Sequence, residues 1–241
     1  MYDLERGTEE KLTREAHSFR PVWHPGGHQV AFTFAGTGGS FDIHLLSLDG
    51  SLRDEPFVTT PTDERLSSWA PDGSSFVYVQ WSTETGQDIW VADNEEPQTH
   101  RVLIATPLND NNPTVSPDGK WIAYQSGNDL YVAGYPEAGG RVLVAPLGSR
   151  PSWSAVTPEL FFRSGDNLMG VRYASDADEF RPGRPSVILE HLPTSGFMVD
   201  HYPHSDGERF LVRVPVEETE SSEIHVVLNW FDELKRLAPA P

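Results

Sequence analysis

Trp69-Ala70-Pro71-Asp72-Gly73, followed by the apolar run Phe76-Val77-Tyr78, is the stretch on which the fold turns. The same sentence stands 46 residues earlier, as Trp23-His24-Pro25-Gly26-Gly27 before Val30-Ala31-Phe32. It returns 46 residues later, as Val115-Ser116-Pro117-Asp118-Gly119 before Ile122-Ala123-Tyr124. Proline presets φ, aspartate bonds its own backbone, and glycine takes a positive φ, so each copy reverses the chain and launches a strand. A fixed period of about 40–50 residues, built from strands and tight turns, is the signature of a β-propeller.

Each copy continues in the same way. A second strand starts with a polar residue: Phe41-Asp42-Ile43-His44-Leu45-Leu46, Gln87-Asp88-Ile89-Trp90-Val91-Ala92 and Asn128-Asp129-Leu130-Tyr131-Val132-Ala133. Third strands are Pro56-Phe57-Val58-Thr59, Val102-Leu103-Ile104-Ala105 and Val142-Leu143-Val144-Ala145, and the fourth leads into the next tryptophan. Two further copies are degenerate. Trp153-Ser154 opens one, with Ala155-Val156-Thr157 in place of the turn; Ser205-Asp206-Gly207 is the turn of the other. These runs are short, rich in β-branched and aromatic residues, and bounded by Gly, Pro, Asp and Asn, which excludes helices.

The expected architecture is one all-β domain over 1–241, a five-bladed propeller of four antiparallel strands per blade. Blades span 23–68, 69–114, 115–152 and 153–202. The fifth is shared between the ends: 203–231 supplies its first half and 1–22 its second. Such closure removes exposed strand edges. Residues 2–4 and 227–229 both read as the end of a second strand, and this redundancy leaves a larger ring missing one blade as the alternative. A short terminal helix is expected over 229–238, capped by Asn229, with Asp232 and Glu233 in its first turn and Lys235 and Arg236 in its last. Too short to stand alone in water, it would pack on the propeller, a partner or a neighbouring copy.

Composition narrows the partners. The net charge of −18 argues against nucleic acid and anionic membranes. With no cysteine, disulfides, thiolate metal sites and cysteine nucleophiles are excluded. No apolar run approaches the roughly 18 residues that span a bilayer, so membrane insertion is not expected, and the start Met1-Tyr2-Asp3-Leu4-Glu5 does not read as a signal peptide.

With these residues in view, the chain resembles the TolB-like propellers, whose repeat runs Ser-Pro-Asp-Gly, apolar strand, Asp-Ile-Tyr-Val. Ser116-Pro117-Asp118-Gly119 is the closest match. The tail Val226-Val227-Leu228-Asn229-Trp230-Phe231 is similar to the ending of TolB-like propellers at the C-terminus of large bacterial proteins, some with a serine/threonine kinase domain ahead. No kinase phosphate loop or His-Arg-Asp motif occurs here. The resemblance therefore implies a sensor or docking half, a non-catalytic module binding a protein or small ligand at one mouth of its channel. It also implies an extracytoplasmic, periplasmic location.

Candidate chemistry is sparse. Asp200, His201 and His204 form the densest set of metal-ligand side chains, and would serve a metal-dependent enzyme such as a polysaccharide lyase or a lactonase-like hydrolase. The plainer reading is polar turn residues at a blade entrance, and neither metal nor cofactor is assigned. Asp42, Asp88, Asp129, Asn167 and Glu223 recur at one blade position. They would either ring the channel or bond nearby backbone at a strand start, and the second task suits Asp and Asn. Gly36-Thr37-Gly38-Gly39-Ser40 lacks the ending of a phosphate loop, and no Gly-x-Ser-x-Gly elbow occurs. Trp23, Trp69, Trp153, Trp90 and Tyr131 are expected to pack between blades. Trp81 and Trp121 break the pattern, and one of them is expected at a ligand surface. A third reading is architectural, a reduced propeller whose redundant ends mark its descent from a longer one.

Overall fold

The Pro-Asp-Gly copies fold as tight turns. Gly73 N donates to Ala70 O and Gly119 N to Ser116 O, both at 2.9 Å. Asp72 Oδ1 accepts from Ser74 N at 3.0 Å. Gly73 and Gly119 sit at φ 74° and 68°, where a Cβ is strained. Either would also crowd the preceding turn: Gly73 abuts the His24 ring and Gly119 abuts Pro71.

The computed structural model describes residues 2–3, 6–13, 18–36, 39–49, 54–176, 179–192, 201–203 and 210–212. β1 (Tyr2–Asp3) and β2 (Thr8–Glu9) pair with each other. The first four-stranded sheet is β3 (Ser18–Trp23), β4 (Gln29–Ala35), β5 (Phe41–Ser47) and β6 (Asp54–Val58). The second is β7 (Glu64–Trp69), β8 (Ser75–Ser82), β9 (Gly86–Asp93) and β10 (His100–Ile104). The third is β11 (Asp110–Val115), β12 (Trp121–Ser126), β13 (Asp129–Gly134) and β14 (Val142–Ala145). The fourth holds β15 (Ser149–Trp153), β16 (Glu159–Ser164), β17 (Asn167–Ser175), β18 (Phe180–Pro182) and β19 (Ser186–Leu189), with β18 and β19 both on β17. β20 (His201–Pro203) and β21 (Phe210–Val212) begin a further sheet. All pairings are antiparallel, and no helix occurs among the described residues.

The sheets run one strand ahead of the repeat. β7 pairs with β8 across the Pro-Asp-Gly turn, Trp69 opposite Phe76 and Glu64 opposite Gln80. The strand read as fourth in one repeat is therefore first in the next sheet. The same holds at the N-terminus: Ser18–Trp23 bonds β4 and belongs to the first sheet, not to a closing blade. A strand before a turn reads the same whichever sheet it joins, and only the ladder decides. Residues 224–228 and the expected helix 229–238 lie outside the described residues.

Both faces of each inner sheet are apolar, and each is buried against a neighbour. Ile43, Phe57 and Val58 of the first sheet meet Leu66, Trp69, Phe76 and Tyr78 of the second. Val77, Ile89 and Val91, on the other face of that sheet, meet Val115, Ile122 and Tyr124 of the third. Ala123, Leu130 and Val132 meet Trp153, Leu160 and Phe162 of the fourth. Trp69 and Trp153 thus fill seams, as expected, and Trp153 Nε1 donates to Thr114 O at 3.0 Å. Trp23 departs from the expectation. It holds the same position but is 49% exposed, because no sheet among the described residues lies on its face.

Phe162→Ala, emptying a fully buried site, should cost about 3–5 kcal/mol. Val156→Ala, in an exposed turn, should cost under about 0.5 kcal/mol. Urea unfolding of both variants checks the pair.

Candidate channel-mouth site

The Pro-Asp-Gly turns occupy one end of the sheets. At the other end, the mouth, lie the connections between sheets and the turns between second and third strands. Two connections repeat a second sentence: Thr60-Pro61-Thr62-Asp63-Glu64 and Thr106-Pro107-Leu108-Asn109-Asp110, again 46 residues apart. In each, the threonine bonds the acid four residues on. Thr106 N and Oγ1 donate to the Asp110 carboxylate at 2.7 and 3.2 Å, and the Thr60 hydroxyl donates to Glu64 Oε1. The preceding residue clamps the sheet before it. Phe41 N donates to Asp63 Oδ1, and Gln87 N to Asn109 Oδ1, both at 3.1 Å.

Glu64 and Asp110 are completely buried. The longer Glu64 side chain leaves Oε2 without a hydrogen-bond partner; Gln80 Oε1, opposite it on β8, and Tyr78 Oη also lack one. Burial pushes the Glu64 carboxyl up to about 7, with repulsion from Asp42 adding to it and bonds from Thr60 and Thr62 opposing it. The Tyr78 phenol is raised by the same burial and by Glu64.

Beside this dry corner lies an open platform. Trp81 is 45% exposed. The Arg65 guanidinium stands 5.9 Å from its ring centroid and 5.2 Å from that of Phe41, a cation held between two aromatic faces. Trp81 is directly opposite Gln87 in the β8–β9 ladder. From Gln87 a chain of amides crosses to the third sheet. Asn111 Nδ2 donates to Gln87 Oε1 at 3.0 Å, and Asn112 Nδ2 donates to Asn111 Oδ1 at 2.7 Å. Asn112 Nδ2 also donates to Gln125 Oε1 at 3.3 Å, and Gln125 Nε2 to Gly127 O at 2.8 Å. Asn112 lies at a bulge in β11 with φ 51°, a left-handed conformation that asparagine tolerates better than most residues.

Of the expected site residues among the described ones, Trp81 alone lands on this platform. Trp121 is corrected: it is buried between the third and fourth sheets, 5.4 Å from the Phe180 ring, because β18 covers it. His201 is buried in β20, opposite Val212. Asp200 and His204 lie outside the described residues, as does Glu223. Asp88 accepts from the Thr85 hydroxyl at 2.7 Å, a side chain rather than backbone, and Asp129 accepts from Leu147 N at 3.1 Å, 18 residues further along the chain. Among the described residues, no group of three or more His, Asp or Glu side chains could hold a metal ion.

The sequence reading missed Gln87, Asn111, Asn112 and Gln125. One signal points to part of this set: Arg20-Pro21, Asn112-Pro113 and Arg150-Pro151 each stand three residues before the repeat's first position. All three residues before proline have positive φ, on bulges of the innermost strands.

No family model matches the chain, and no curated protein does. Solved structures match in fold. A protein assigned as TolB from Agrobacterium tumefaciens superposes with a TM-score of 0.58 at 19% identity, over 80% of this chain and 73% of that one. TolB from Acinetobacter baumannii gives 0.60 at 20% identity, over 79% of this chain and 48% of that one, so the match spans about half of that protein. A chain of a nidogen/laminin complex gives 0.59 at 13% identity, over 80% and 70%. The fold is a TolB-like β-propeller.

Glu64 sets a pH dependence. Between pH 4.5 and about 7 the folded chain keeps a proton that the unfolded chain has lost, so this group's contribution to stability falls as pH rises. The full loss, up to about 3 kcal/mol, is reached above pH 7. Glu64→Gln should flatten that part of the stability–pH curve and exceed the wild type in stability at pH 8, measured by denaturant unfolding.

Proposed function

We propose that this propeller is a non-catalytic binding module whose ligand, a protein segment or a small molecule, lies on the mouth platform. One observation carries the reading: the half-exposed Trp81 ring stands at the end of the hydrogen-bonded chain Gln87–Asn111–Asn112–Gln125. An indole offers a large, rigid apolar surface. Amides ordered by one another present donors and acceptors at little further cost in rotamer freedom. The Arg65 cation of the platform is engaged between two rings. Such an arrangement holds and orients a ligand, which suits a sensor or docking domain of a larger bacterial protein working outside the cytoplasm.

The same reading keeps the ring five-bladed and closed by both ends. The phase of the sheets changes the division of labour. β20 and β21 supply the two inner strands of the last blade, and the N-terminal contribution is the β1–β2 hairpin alone.

Titration of the full chain against a panel of extended peptides and neutral oligosaccharides, read by tryptophan fluorescence, tests the proposal. At least one saturable ligand is expected. Trp81→Ala and Asn112→Ala should each weaken it by about tenfold or more, a loss of about 1.4 kcal/mol, without lowering the melting temperature by more than a few degrees. Turnover of any panel member that both substitutions abolish would overturn the non-catalytic reading.

A further inference from the structure

Glu64 Oε2, Gln80 Oε1 and Tyr78 Oη are buried and have no hydrogen-bond partner. Glu64 and Tyr78 are completely buried as whole residues. Glu64 stands opposite Gln80 in the β7–β8 ladder, and Tyr78, two residues before Gln80, shares its face of β8. Glu64 acts electrostatically on the Tyr78 phenol, so the two are neighbours. Their common face meets the first sheet. Across the seam stands Thr33 of β4, also completely buried, whose Oγ1 accepts from Leu66 N at 3.3 Å. The three oxygens therefore share the mouth end of one seam, walled by two sheets.

The protons nearby are already committed. The Thr60 and Thr62 hydroxyls donate to Glu64 Oε1, the second at 3.4 Å. Gln80 Nε2 donates to Thr62 Oγ1 at 2.8 Å and to Thr60 Oγ1 at 3.1 Å, which uses both of its hydrogens. Tyr78 Oη carries one proton, enough for one of the two remaining oxygens at most. The corner thus holds more lone pairs than donors. It also lacks a counter-charge: the Arg65 guanidinium is held between Phe41 and Trp81, and the charge that acts on Glu64 is the like charge of Asp42. A buried carboxylate is costly until a positive species pairs with it. Carboxylate, amide and hydroxyl oxygens suit a hard cation. With a single carboxylate among them, one positive charge balances the set, whereas calcium takes six to eight oxygens.

We infer that Glu64 Oε2, Gln80 Oε1 and Tyr78 Oη bind a monovalent alkali cation, sodium or potassium, at the mouth end of the seam between the first and second sheets. The inference does not rest on a ligand at the Trp81 platform, and either can fail without the other. Bound there, the ion would hold β7 and β8 together at the end of the seam and offset the cost of burying Glu64.

Thermal unfolding of the full chain at pH 8 and constant ionic strength tests the site, with tetramethylammonium chloride exchanged stepwise for sodium chloride or potassium chloride. Tetramethylammonium is too bulky for a buried corner and serves as the reference. A ligand specific to the folded state raises the melting temperature in a saturable way. That rise is expected with sodium or potassium, and the larger of the two assigns the ion. Glu64→Gln should melt no lower than the wild type in tetramethylammonium and should lose the response. No saturable rise with either ion, the result of a buried water alone in the corner, would overturn the inference. So would an undiminished rise in Glu64→Gln. Should that variant not fold, Gln80→Met decides: a midpoint moved to about tenfold higher cation concentration supports the site, and an unchanged midpoint overturns it.

Discussion

Burial on both faces of each sheet is the constraint from which the rest follows. Phe76 and Tyr78 point from β8 toward the first sheet while Val77 points toward the third, and all three are completely buried. At about 1.5–3 kcal/mol for a large apolar side chain, neither face can be left wet. A sheet with two such faces must stand between two others. Successive sheets then fan around an axis, and the strand preceding each turn lies innermost.

The two ends of the fan are built differently. At one end the turns are short and stacked, Gly73 against His24 and Gly119 against Pro71, which leaves little room for variation. At the other, the Thr-Pro connections drop Glu64 and Asp110 into the ends of the seams and clamp the preceding sheet through Asp63 and Asn109. That end is where polar groups are buried at some cost to stability, in Glu64 and Arg163, and where Trp81 stands half exposed beside the half-buried amide chain. Rigid apolar seams thus lie beneath that end, and polar groups lie above them.

The period of 46 made the strands legible, because the turn chemistry is local. The direction of each side chain was not. Val77 and Tyr78 are both apolar and both buried, so alternation carries no signal about which neighbour each meets. Trp121 looked like a ligand residue because β18, which covers it, is three residues long and has no counterpart in the other repeats. The amide chain draws on β9, β11 and β12, and only folding brings Gln87, Asn111 and Gln125 together. Trp81 was legible because it ends a strand whose apolar run has already passed the seam.

One seam has no covering sheet among the described residues. Trp69 and Trp153 are buried by the sheets before them, whereas Trp23, at the same position, is half exposed. If the ends of the chain complete a fifth blade, that blade covers Trp23. Acrylamide quenching, taken as the difference between the full chain and its Trp23→Phe variant, reads this directly. A ring closed by both ends gives a component quenched as slowly as a core tryptophan. A Trp23 component quenched as readily as that of the exposed Trp81 would contradict closure, and with it the five-bladed ring.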